Sequence, residues 1–274
     1  MRKSVIVCSL VSSAFVAFSF LLAYAAYFEI APFEFNYIET LASLSFWAPL
    51  VCLVFLFPLR STLALFSRCI RTARGVLVFT TYLVVHLILY GLLLETLLDY
   101  AYKLPQITSQ PTVSVTSSVL YPLSLPAMVT SFGFYPSFSI LLPPSFNLVL
   151  SLYSITLAVV IAILVAVSVM RVVDLGKLSA FTQRAHAFVL LPVIGVIGGA
   201  ACCLSLPVLI SLATPTAAAF SDSPVVYYTA YFLFPCATAF GLKFNVDSMN
   251  RIASSLEKLK ESLGNLVANS PSRN

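Results

Sequence analysis

Six runs of about twenty residues pass along this chain with almost no charged side chain, and nearly every lysine and arginine falls in alternate gaps between them. That spacing leaves few folds open. Roughly 20 apolar residues at 1.5 Å each cross the ~30 Å of bilayer hydrocarbon, where every backbone polar group must find its partner within the protein. Helices do this locally. The runs predict helices at 4–28, 41–59, 75–98, 147–170, 187–213 and 225–242. With 60% hydrophobic and 9% charged residues, against about 25% charged in soluble domains, the expected fold class is an all-α polytopic membrane helical bundle.

Orientation follows from the basic residues, which stay on the cytoplasmic side when they lie near helix ends. Placing the amino terminus inside puts Arg2, Lys3, Arg60, Arg68, Arg71, Arg74, Arg171, Lys177, Arg184, Lys243, Arg251, Lys258, Lys260 and Arg273 in the cytoplasm and leaves Lys103 alone outside. The net charge of +5 is thereby a topology signal, and no nucleic-acid partner is expected. The expected location is the cell membrane, multi-pass, with both termini cytoplasmic. Residues 1–242 form the transmembrane domain and 243–274 a cytoplasmic tail. The first 25 residues also fit a secretory signal ending at Ala23-Tyr24-Ala25, but the apolar run from Val5 to Leu22 is long for one, and a retained helix is expected.

The outer segment 99–146 carries no charge after Lys103 and is interrupted by Pro122, Pro126, Pro136, Pro143 and Pro144. Prolines remove backbone donors that a lipid-exposed helix cannot spare. The segment is expected to be a proline-rich outer loop capping the helix ends.

Within the fifth run, Gly198-Gly199-Ala200-Ala201-Cys202-Cys203-Leu204-Ser205-Leu206-Pro207 supports two readings. Gly195, Gly199 and Cys203 recur every four residues, a small-residue stripe that admits close helix packing. Alternatively the thiols of Cys202 and Cys203 take a soft metal ion, with Pro207 freeing the Cys203 carbonyl from the helix ladder. The Cys-Cys pair followed by proline, over Gly198 to Pro207 only, resembles the membrane helix of Mer-type mercuric-ion transport proteins. That resemblance implies that Cys202 and Cys203 pass a soft ion inward. This chain departs from the pattern by placing the pair in the fifth helix, with no second pair to receive the ion.

His86 lies about 16 Å into the third helix, near the depth of Cys202 at about 22 Å along the fifth, and shares a helix face with Tyr82 and Tyr90. It is either a third metal ligand or a neutral histidine hydrogen-bonded to a tyrosine on a neighbouring helix. A second histidine, His186, lies at a different depth, which argues against a bis-histidine haem. No cofactor is assigned. The chain has no P-loop, dinucleotide fingerprint, H-E-x-x-H or G-x-S-x-G, and an enzyme is not expected.

In the tail, Met249, Ile252, Leu256, Leu259, Leu263 and Leu266 step by alternating threes and fours, an a/d seam of about two and a half heptads. It docks a partner, a second copy, or the protein's own cytoplasmic face and lipid headgroups. The composite expectation is a non-enzymatic membrane subunit or scaffold, partnered by lipid and by other membrane subunits or its own copies. A small transporter or sensor of soft metal ions is the alternative.

Overall fold

The computed structural model describes residues 2–29, 37–89, 110–116, 125–142, 146–177 and 224–268. The chain is mostly helical. Helices α1 (Arg2–Glu29), α2 (Tyr37–Leu56), α3 (Arg60–Cys69) and α4 (Ala73–Val84) are followed by a π turn, Val85–Leu89. Then come β1 (Thr112–Thr116), α5 (Leu125–Phe134), β2 (Ser137–Leu142), β3 (Phe146–Ser151), α6 (Leu152–Lys177) and α7 (Pro224–Ala268). Among the described residues, three helices are long and apolar enough to cross a membrane: Ile6–Ala25, Tyr37–Leu56 and Leu152–Asp174.

Helix α6 is the hub. Two thirds of its apolar window is buried inside the protein (67%), against 17% for α1 and 22% for α2, because it is apolar on every face and needs neighbours all round. Ile161, Leu164 and Val167 of α6 are fully buried, and join Leu59, Tyr82, Leu242, Val246 and Met249 in one core. Helix α1 packs instead on α2 and leaves Ile6, Leu10, Phe15, Phe18 and Leu21 exposed. In water that continuous apolar face would be a liability. In lipid it is the expected surface.

Helix α2 starts at Tyr37, four residues before the expected position, because the buried Glu39 lies within it. Pro58 follows its end, where a helix cannot easily continue. The arginine-bearing stretch after it is a short helix, α3, which buries Thr62 and turns Arg60, Ser61 and Arg68 outward. A tight turn joins α3 to α4. Thr72 caps α4, its hydroxyl accepting from the Gly75 amide at 3.1 Å and donating to the Cys69 carbonyl at 2.7 Å.

The expected all-α architecture holds only in part, since a three-stranded antiparallel sheet of order β1-β2-β3 is built from the segment expected to be a proline-rich loop and from residues 147–151, expected to open the fourth helix. Its register pairs Thr112 with Leu141 and Ser137 with Ser151. Thr112-Val113-Ser114-Val115-Thr116 alternates with period two, as a strand does, and Ser114 bonds Ser139 across the ladder at 2.7 Å. Two of the prolines read as loop-breakers frame a helix instead. Pro126 sits in the first turn of α5, where its missing N–H costs nothing, and Pro136 follows its end. The Tyr135–Pro136 peptide is cis.

Side chains of α2 tie α5 down. The last carbonyls of a helix lack intrahelical donors, and here Trp47 donates to the Phe132 carbonyl while Ser43 donates to that of Tyr135 at 2.7 Å. Phe20, Phe46 and Phe132 stack beside these bonds, with centroids 5.0 to 6.1 Å apart. On the other side Tyr153 of α6 donates to the Phe232 carbonyl of α7 at 2.8 Å, and its ring lies 4.8 Å from that of Phe232.

Helix α7 is continuous from Pro224 to Ala268, across the expected boundary between residues 242 and 243. Lys243 pairs with Asp247 one turn on and reaches Ser61 of α3 at 3.5 Å.

Candidate functional site

Of the residues singled out in the sequence, His86 is the one whose surroundings are most fully defined. It lies in the π turn Val85–Leu89 that extends α4, an insertion that re-aims side chains and is frequent at functional sites. Its side chain is fully buried. The Nδ1 atom is 3.3 Å from the Tyr82 hydroxyl, and the rings are 5.5 Å apart and tilted by 31°. The partner therefore comes from His86's own helix, four residues earlier. The other ring nitrogen, Nε2, is buried with no hydrogen-bond partner among the described residues. Neutral imidazole offers one donor and one acceptor, so this turn holds one used and one unused valence.

Cys202, Cys203, Gly195, Gly199 and Pro207, and also Tyr90 and His186, lie outside the described residues. Among the described residues no group of three or more His, Cys, Asp or Glu side chains could hold a metal ion. Four cysteines there, Cys8, Cys52, Cys69 and Cys236, are free thiols.

The two ends of the tail seam differ. Met249 is fully buried in the α6-centred core, and Ile252 packs against that core, beside Val246. The helix continues under Leu256, Leu259, Leu263 and Leu266, whose side chains lie outside the described residues. The first two seam positions thus belong to the fold.

Two apolar grooves open between the long helices. One, of about 480 Å³ between α1 and α2, is lined by Phe15, Leu44, Leu53 and the thiols of Cys8 and Cys52, with Ser12 and Ser45 as its hydroxyls. The second, of about 410 Å³ between α2, α6 and α7, runs from Trp47 and Tyr153 past Cys236 to Lys243. Both have acyl-chain chemistry, apolar with few polar groups.

A third cavity is of another kind. Where α3 turns into α4 beside the end of α6, Arg68, Arg74 and Arg171 line a space of about 630 Å³ with Cys69, Thr72 and Asp174. Burial pushes the Cys69 thiol above its ordinary range; Arg171 pulls it down and Asp174 pushes it up. Sequence reading passed over this cavity. Its signal was the three-residue spacing of Arg68, Arg71 and Arg74, which the orientation argument had already used.

No family model, curated protein or solved structure matches the chain.

Proposed function

We propose that this chain is a non-enzymatic integral membrane subunit, spanning six times with both termini in the cytoplasm, that holds a partner through the far end of α7. The continuity of α7 carries the reading. Its 45 residues make a rod of about 67 Å at 1.5 Å per residue, more than twice the ~30 Å thickness of bilayer hydrocarbon. Its middle is clamped in the core by Leu242, Val246 and Met249. A rod held at that point moves rigidly with the membrane domain, so whatever engages Leu256, Leu259, Leu263 and Leu266 is fixed relative to the bilayer. The sixth span and the amphipathic tail are one mechanical element in this reading. The one-sided distribution of lysine and arginine supports its cytoplasmic emergence.

Leu256→Asp with Leu263→Asp tests the docking role. The substituted protein should insert normally yet run as a smaller complex in mild detergent, or lose a co-purifying protein. Unchanged size and composition would reject docking. Cysteine-accessibility labelling tests the topology: Val115 should react from outside, and Thr72, Leu178 and Lys260 from inside. Labelling of Leu178 from outside would overturn it.

A second reading is favoured by the unused Nε2 of His86 in its π turn: a soft-metal transporter or sensor in which Cys202 and Cys203 supply thiolates and His86 a third ligand. Cu(I) stoichiometry on purified, reduced protein separates the two. Wild-type protein that binds none excludes the metal reading, and binding that is lost in Cys202→Ala/Cys203→Ala displaces the scaffold reading.

A further inference from the structure

We propose that the arginine-lined cavity at the α3–α4 turn is a binding site for a phosphate group. Three guanidinium groups, from Arg68, Arg74 and Arg171, face one carboxylate, Asp174, across about 630 Å³, within the 300 to 1,000 Å³ or so typical of small-ligand pockets. Arg71 is exposed on the same turn and adds to the field without lining the cavity. None of these four arginines forms an ion pair among the described residues. Asp174 follows Arg171 by three residues on α6 and faces the same way, which leaves Arg68 and Arg74, on the two helices opposite, as unneutralised charge. All three lining cations are arginine. The planar fork of a guanidinium matches two phosphate oxygens at once, which a lysine ammonium cannot do.

The backbone reinforces the side chains. Ala73 and Arg74 line the cavity and open α4; first-turn amides have no acceptor within their helix, and that end carries partial positive charge. Natural helices place acidic residues there. The first turn of α4 has none and instead carries Arg74, a cation where the helix itself disfavours one. An external anion removes the conflict.

The depth of the site narrows the source. Its residues sit where apolar segments stop: the span of α6 ends at Asp174 and the apolar stretch of α4 begins at Ala73. That is headgroup level, where anionic lipid phosphates concentrate and basic residues next to spans attract them. A soluble phosphate reaching the same face presents the same chemistry.

Cys69, which also lines the cavity, supplies the readout. Full-length protein is placed in nanodiscs of phosphatidylcholine alone, of phosphatidylcholine with phosphatidic acid, or of phosphatidylcholine with inorganic phosphate in the buffer. Sodium chloride equalises ionic strength, and alkylation at Cys69 is followed by site-resolved mass spectrometry. The quantity compared is the ratio of rates with and without the probe, so that a shifted thiol reactivity in a variant cancels. Occupancy should slow alkylation about tenfold when the probe is at ten times its Kd. Slowing by phosphatidic acid alone assigns the site to a lipid headgroup, by inorganic phosphate alone to a soluble ligand, and by both to phosphate in either form. Protection should vanish in Arg68→Gln/Arg171→Gln and weaken in Arg74→Gln, an exposed position whose loss the fold tolerates. No slowing by either probe in the wild type, or equal slowing in wild type and in Arg74→Gln, overturns the proposal.

Discussion

Replacing Ser43 by alanine tests whether α5 is docked on α2 by hydrogen bonds or merely rests on it. The Ser43 hydroxyl is buried and donates to the Tyr135 carbonyl at 2.7 Å, with the Phe132 carbonyl at 3.4 Å as a weaker second acceptor. A hydroxyl has one proton, so one bond is lost. A neutral hydrogen bond contributes about 0.5 to 1.5 kcal/mol, and hydrogen bonds between membrane helices average about 0.6 with a ceiling near 1.7. We expect about 1 kcal/mol, which for a chain of this size lowers the unfolding midpoint by about 2 to 4 °C. The chain supplies its own probe, because Trp47 is its single tryptophan and its indole donates to the neighbouring Phe132 carbonyl. Thermal unfolding in detergent, followed by Trp47 emission, reads the junction directly. Ser45→Ala is the control: two residues along the same helix, its hydroxyl bonds no other element among the described residues, and it should shift the midpoint by less than about 0.5 kcal/mol equivalent. Equal shifts for the two variants, or none for Ser43→Ala, would show that the aromatic stack of Phe20, Phe46 and Phe132 holds α5 without help from the hydroxyl.

Four further outcomes are expected. A Cβ at Gly133 would strike the Phe232 ring, which is held between Phe134 at 5.7 Å and Tyr153 at 4.8 Å, so Gly133→Ala should cost about 1 to 3 kcal/mol by overpacking; an unchanged melting midpoint would mean that the ring swings aside. At Gly75 a Cβ would meet the backbone carbonyl of Cys69, which no rotamer change relieves, and Gly75→Ala should open the α3–α4 turn and accelerate alkylation of Cys69; unchanged kinetics would refute the close approach. The Cys69 thiol is raised above its ordinary 9.0 by burial, so its alkylation should become fast only above pH 9, Asp174→Asn should speed it and Arg171→Gln should slow it at fixed pH. The same sign makes the half-buried thiol's contribution to stability complete at neutral pH and lost as pH rises through its folded value, so alkaline unfolding should be delayed in Cys69→Ser if partial burial of the thiol is the cause, and unaltered if it is not.

What the sequence could reveal follows from the range over which its signals act. Long apolar runs are local and additive, and for this reason α1 and α2 fall within four residues of their expected positions, whereas α6 starts five residues late because strand pairing takes residues 147–151 into β3. Helix ends depend on particular neighbours: Glu39 lies inside α2 because tertiary burial accommodates it, against the reading of charge as a boundary. Proline count misled in the outer segment because a proline is informative by position. At the start of α5 and just past its end it is a helix marker, while the period-two pattern of Thr112 to Thr116 was the signal for the strand.

The arginine cavity shows the deeper limit. Arg68, Arg71 and Arg74 lie within seven residues, and one cause, retention of positive charge beside a span, accounts for all of them in sequence. Arg171 has the same explanation at the end of a different span. Nothing in the linear order says that the two groups meet, because their meeting is made by α3 folding back against α6 through Leu63, Phe66 and Cys69. Once they meet, the sum of their charges is no longer a topology signal alone: like charges brought together in a partly enclosed space repel, and the fold keeps them together without ion pairs among the described residues. A site that concentrates unpaired guanidinium groups in a partly enclosed space is more stable with an anion in it than without one. In the proposed topology, residues that orient the chain are therefore also ones that line the proposed phosphate site.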